Sequence, residues 1–274
     1  MQESCCYNCS FNFDEGLGTT YERFTLHEYF RRIDNKYAVR SVLEAPSFGI
    51  TGIPGINSMW WVVHGVPVTI VDDNPERLEL VRKLWGKMHL EVNLVLGKED
   101  TPLPLKQKSF DLGWNFCALE HVRDISKFFE ELTRVTRKAI FICIPNTSGL
   151  SRLVRHGLEK HQRREFIAEN NSTVKIQTIM NRLGWNCMDR GYFDVPPWPD
   201  IAMKKEEFLK KLGLGWLSGM LMKRDREGIS ILDYFSGKRK DMEKEILKYG
   251  FLENSPIIFK RFWAHHQYLI FVPR

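Results

Sequence analysis

Between residues 40 and 144 the chain repeats one pattern, a short apolar run followed by a turn and then a segment of helical period. A parallel sheet with helices on both faces satisfies such alternation, because each parallel pair needs a crossover and each helix needs an apolar surface to cover. The runs at 40–45, 67–71, 92–96, 110–116 and 138–144 read as its strands. The last is apolar almost throughout and stops at Pro145, as a strand buried on both faces does. Helices are expected at 53–63, 74–88 and 125–136, the second with Asn74 as its cap and Pro75 as its first residue. Ahead of the first strand, 19–37 reads as one or two short amphipathic helices. After 146 the pattern loosens into a polar, basic stretch, a helix at 174–183 ending on Gly184, and a strand running to Asp194. Pro196, Pro197 and Pro199 then stop regular structure, and a last strand is expected at 267–272. The fold class is therefore α/β: a doubly wound, mostly parallel sheet with an N-terminal helical segment and a mainly helical insertion before the last strand. The expected division is an arm and helical cap at 1–39, a core at 40–195 with a polar helical insertion near 147–172, a cap at 196–265, and the returning strand at 266–274.

Composition narrows the function classes. At 274 residues and 43% hydrophobic, the chain can bury a sizeable core. An aromatic content of 12% argues against a disordered polymer. Its apolar stretches are too short to cross a bilayer, and the opening MQESCCYNC lacks the basic start and apolar centre of a secretory signal. The expectation is a cytoplasmic protein with no membrane partner. The net charge of +6 divides into −2 over 1–146 and +8 over 147–274. A basic half invites phosphate or nucleic acid. Arg152, Arg155, Lys160, Arg163 and Arg164, however, mostly follow helical spacing with acids nearby, the pattern of a solvated helix face. Of six cysteines, Cys117 and Cys143 sit in apolar runs as small buried hydrophobes. Cys5, Cys6 and Cys9 form C-C-x-x-C, a weak candidate for a metal; lacking a second cysteine pair, it leaves no metal expected.

The segment SVLEAPSFGITGIPG, residues 41–55, carries the most chemistry. A small-residue turn after the first strand lets a ligand approach the backbone closely. Glu44, at the strand's carboxyl end, would repel a pyrophosphate and attract an ammonium or sulfonium, which leans the site towards S-adenosylmethionine (SAM). Ala45, Pro46, Gly49 and Gly52 line the turn. Asp72, with Asp73 beside it, ends the second strand, where a carboxylate accepts hydrogen bonds from ribose hydroxyls. Glu99 or Asp100, after the third strand, can face an adenine amino group. Asn115 stands at the ligand-facing end of the fourth strand.

With those residues in place, the run from Val42 to Val122 resembles a class I SAM-dependent methyltransferase of the type 11 group. The matching pieces are VLE at 42–44, VTIVDDNPERLE at 68–79, LP at 103–104, SFD at 109–111 and ALEHVRD at 118–124. The resemblance covers 40–146 and, more loosely, the two later strands. It implies a Rossmann-like core, SAM as cofactor, and in-line transfer of a methyl group to an acceptor. One departure stands out. The family writes its first loop as acid-x-Gly-x-Gly-x-Gly, whereas the places after Glu44 hold Pro46, Phe48 and Ile50, with Gly49, Gly52 and Gly55 following at spacing three. The aromatic, Pro-punctuated insertion suits a small or medium-sized organic acceptor. A protein side chain or RNA acceptor is the alternative, and a non-catalytic binding protein of the same fold is a third reading. A nicotinamide dehydrogenase is disfavoured by Glu44 and by the lack of GxGxxG spacing.

The sequence assigns no catalytic base. Glu120 and His121 are weak candidates by position, and helix-start packing is the commoner role for such residues. His265 and His266, adjacent on an expected strand, would point to opposite faces, which argues against a joint metal site. Trp60, Trp61 and Trp198 read as packing residues.

Overall fold

The computed structural model describes residues 16–47, 54–97, 101–148, 167–196 and 229–274. Its strands are β1 (Val42–Glu44), β2 (Val68–Asp72), β3 (Asn93–Leu96), β4 (Phe110–Phe116), β5 (Thr136–Pro145), β6 (Trp185–Phe193) and β7 (His266–Pro273). They form one sheet in the order β3-β2-β1-β4-β5-β7-β6. The first five run parallel, and β7 is antiparallel to both β5 and β6. The strand order reverses between β1 and β4, which opens a crevice at their carboxyl ends.

The sheet is buried from both sides, and strand periodicity divides its side chains cleanly. Val42, Trp114, Phe141, Cys143, Tyr268 and Ile270 enter one core, while Leu43, Ile140, Ile142, Ile144, Leu269 and Phe271 enter the other. The first core is covered by α1 (Gly16–Tyr37), α2 (Met59–Val63) and α3 (Pro75–Lys87). The short helices α6 (Ile231–Phe235) and α7 (Met242–Ile246) complete that side. The second is covered by α4 (Ile125–Val135) and α5 (Thr173–Arg182). Asn74 caps α3 by accepting from the N–H groups of Glu76 and Arg77, with Pro75 at the first turn. Asp124 caps α4 and Ser172 caps α5 in the same way.

Three sequence expectations change. The region at 19–37 belongs to one 22-residue helix, Gly16–Tyr37, buried from Gly18 to His27 and longer than the one or two short amphipathic helices expected. Glu22 and Arg23 bond to His266 and Asn57 inside the protein, and His27 packs among aromatic rings, so hydropathy understated the helix's burial. The helix expected at 53–63 is a set of turns with helix only at Met59–Val63 among its described residues. No loop separates α4 from β5: Thr136 is both the helix cap and the first strand residue. A last helix, α8 (Ile257–Trp263), precedes β7. Among the described residues, no helix is long and apolar enough to cross a membrane.

Candidate functional site

Glu44, Asp72 and Asn115 all end at the carboxyl edge of the sheet, and all three are buried. Parallel pairing fixes their spacing, since Glu44 stands opposite Ile70 on one side and Trp114 on the other. The Glu44 carboxylate accepts from the Ser58 hydroxyl, which also accepts from the Trp114 indole at 3.0 Å. Burial drives the Glu44 pKa up to about 8, and the Asp72 charge adds to the rise; hydrogen bonds from Ser58 and the Gly55 N–H and the Arg23 charge oppose it. Glu44 is therefore mostly protonated at neutral pH in this state.

Asp72 is held differently. Its oxygens accept from the Ser47 hydroxyl at 2.7 Å, the Asn74 N–H at 2.8 Å and the Arg77 Nε at 2.9 and 3.0 Å. The Arg77 Nη2 lies 2.6 Å from one oxygen and also pairs with the neighbouring Asp73. Every acceptor position the sequence reserved for ribose hydroxyls is thus occupied from within the chain. Ser47 and Arg77 are the residues that sequence reasoning missed here. Arg77 was visible only as part of the piece VTIVDDNPERLE, with no role given to it.

Asn115 also works inside the protein. Its amide donates to the carbonyls of Ala45 at 3.2 Å and Pro46 at 3.0 Å, which ties the turn after β1 to the end of β4. Between the strand ends lies a slot of about 30 Å³ lined by Ala45, Pro46, Val71, Leu103 and Phe128, with Asp72 and Asp73 at its acidic side. Gly97 lies against it because a Cβ there would stand 2.8 Å from Val71 and 3.0 Å from Leu103. An apolar slot with a carboxylate at its rim has the chemistry of an adenosine site, and the buried acid at β1 suits a cationic group. The residues fit SAM in kind, and the slot must widen to admit it.

Glu120 and His121 lie in a short 3-10 turn, Leu119–His121, directly after β4. A second 3-10 turn, Ala168–Asn171, clamps it: Asn170 donates to the carbonyls of Leu119 and Val122, and Asn171 donates to the Glu120 carboxylate at 2.7 Å. His121 Nε2 lies 3.7 Å from the other Glu120 oxygen. These contacts give Glu120 a packing role. Gly49, Gly52, Glu99, Asp100, Cys5, Cys6 and Cys9 lie outside the described residues. Cys117 and Cys143 are buried, as their apolar runs predict.

Residues 51–144 match the family model described as a methyltransferase domain. No curated protein matches the chain. Similar solved structures include a chain from the Haloferax volcanii complex between the Trm112 methyltransferase activator and a candidate methyltransferase. It is 12% identical, with 95% of this chain and 90% of that chain covered and a TM-score of 0.53. The YcgJ protein from Bacillus subtilis is 14% identical over 90% of this chain and 99% of its own, with a TM-score of 0.51. A SAM-dependent methyltransferase from Archaeoglobus fulgidus is 16% identical over 92% and 94%, with a TM-score of 0.50. At these identities the likeness is one of fold, and it agrees with the motif-bearing segment matched by the family model. Residues 51–144 are therefore similar to a methyltransferase domain, and the chain shares the fold of these solved structures.

Proposed function

We propose that the protein transfers a methyl group from SAM to a small or medium-sized organic acceptor at the carboxyl edge of the sheet. The observation that carries this reading is the pair of buried carboxylates, Glu44 and Asp72, at adjacent strand ends beside an apolar slot. Glu44 meets the ammonium of the methionine moiety, and the slot takes the adenine. Asp72 takes the ribose hydroxyls as Ser47 and Arg77 release it, with Asp73 at the rim. Gly49, Gly52, Glu99 and Asp100 belong to this proposed site on the family resemblance alone. Bound SAM supplies a methyl group already attached to a good leaving group. The chain's own work is to hold the acceptor in line and keep water out. Neither Glu120 nor His121 is needed for that work.

A covered edge supports a small acceptor. Asn146, just past β5, donates to the carbonyls of Arg261 and Ala264 at 2.9 and 2.8 Å. Glu253 accepts from the Tyr21 hydroxyl and the Val195 N–H. The segment before β7 therefore lies across the ends of β5 and β6. A protein or RNA acceptor is the second reading, favoured by the charge of +8 on residues 147–274. Calorimetric titration with SAM and S-adenosylhomocysteine tests the cofactor half, with micromolar binding expected and none in folded protein refuting it. Acceptor turnover against salt tests the rest: a steep loss of acceptor affinity with salt points to a polymer.

A further inference from the structure

A second polar cluster lies on the same edge of the sheet, away from Glu44 and Asp72. Glu22 comes from α1, Asp194 follows β6 directly, and His266 opens β7. All three are buried, at 0%, 1% and 6% exposure. The strand register explains their meeting, because His266 pairs with Pro145 at the end of β5 and with Phe193 at the end of β6. Asp194 adopts a left-handed backbone with φ of 61°, a conformation aspartate tolerates better than most residues, and its carbonyl accepts from the His265 N–H.

The donor atoms converge. His266 Nε2 lies 2.9 Å from a Glu22 oxygen and 3.7 Å from an Asp194 oxygen, and one ligand atom from each residue lies within 4.8 Å of the others. His265 Nδ1 is 3.4 Å from the same Asp194 oxygen. His265 precedes the strand, so the alternation expected to separate the two histidines does not apply and both turn to one carboxylate. The other nitrogen of His266, Nδ1, faces Cys117 Sγ at 3.3 Å. The rings of Phe116 and Phe193 flank the imidazole at 5.1 and 5.3 Å.

We propose that Glu22, Asp194 and His266 form a binding site for a divalent first-row transition-metal ion. An ion about 2.0–2.2 Å from each donor holds neighbouring donors roughly 3–3.5 Å apart, and 2.9 and 3.7 Å straddle that spacing. One imidazole and two carboxylates suit zinc or manganese; calcium needs more oxygens and copper(I) softer ligands. Two carboxylates balance the charge of the ion. Cys117 supplies the outer contact: in the metal-bound form the Nδ1 proton would be directed at its sulfur, leaving the Nε2 lone pair for the metal. The proposal is independent of SAM, since metal content is read without cofactor or acceptor.

The test uses the untagged 274-residue chain with Cys5→Ser, Cys6→Ser and Cys9→Ser, so that these thiols cannot contribute. Elemental analysis of the purified protein is expected to find one zinc or manganese per chain. After chelation, cobalt(II) titration is expected to give visible ligand-field bands that saturate at one equivalent and fade on adding zinc. Glu22→Gln and His266→Gln should each weaken cobalt binding by about 100-fold or more. Near-UV circular dichroism checks that the variants fold. A rise in the melting temperature of the unsubstituted cluster with zinc needs no variant at all. Absence of retained metal, bands and thermal shift in folded protein overturns the site. So does stoichiometric cobalt binding that both folded variants keep, and the cluster is then a hydrogen-bonded histidine–carboxylate group only.

Discussion

In the proposed site, cofactor binding at Glu44 would be a proton-linked event, and the size of the effect follows from the residue's surroundings. In the free protein its pKa is about 8, chiefly because burial disfavours the charged form. The ammonium of SAM favours the ionised form, so binding expels the proton. At pH 7 a group of pKa 8 is about nine-tenths protonated, and binding should release about 0.9 proton per cofactor. The sign follows directly: protonation competes with the ligand, so affinity rises with pH until Glu44 is ionised in the free state. Between pH 6 and 7 the dissociation constant should fall about eight- to ninefold, or about 1.3 kcal/mol. Above pH 8 the amino group of SAM loses its own proton, so the useful window lies below that. Calorimetry in two buffers of different ionisation enthalpy measures the proton count, and Glu44→Gln should flatten the pH dependence. The reasoning is wrong if binding releases no proton at pH 7, or if the glutamine variant keeps the full slope.

Three further predictions concern other parts of the molecule. Asp72→Ala should weaken SAM by roughly 1–3 kcal/mol through lost hydrogen bonds to a charged acceptor, and unchanged affinity by titration removes Asp72 from the site. Gly113→Ala should lower stability by about 1–3 kcal/mol, measured by denaturant melting, because the added Cβ would stand 2.5 Å from Thr136 Oγ1 and 2.9 Å from Leu132 Cδ1. Wild-type stability would contradict that packing. Burial pushes the Asp111 pKa up, yet bonds from Arg137, the Arg40 N–H and Lys138 hold it below its usual value. Its contribution is therefore present above the unfolded pKa and lost as pH falls through the folded one, so Asp111→Asn should flatten the acid limb of the stability curve. An unchanged acid limb refutes this.

The core of the fold was legible because its physics is local. Each of the first five strands shows as a short, mainly apolar segment, and Asn74 with Pro75 marks a helix start within two residues. Where burial depends on distant partners, the reading failed. The polar first half of α1 looks like surface until its surroundings are known: Arg23 reaches Asn57, and Glu22 reaches His266, which lies 244 residues away. Hydropathy scores a residue by its own transfer cost, and a buried polar group is tolerated when its partner removes that cost.

The same distinction separates finding the candidate site from understanding it. Glu44 and Asp72 could be placed at strand ends because a strand ends where its apolar run ends. Their partners could not, since Ser58 and Arg23 lie outside the matched pieces and Arg77, although inside VTIVDDNPERLE, carries no mark there of its bond to Asp72. Arg77, in the first turn of α3, folds back onto Asp72 at the end of β2, so the carboxylate is already paired where the proposed site would take a ribose. Glu44, with a hydroxyl as its direct partner, is neutral in the same state. Cofactor bound as proposed would therefore displace a cation from one acid and a proton from the other. An account of affinity that counts only the new contacts will overestimate it, and the pH dependence traced to Glu44 isolates the proton's share of that cost.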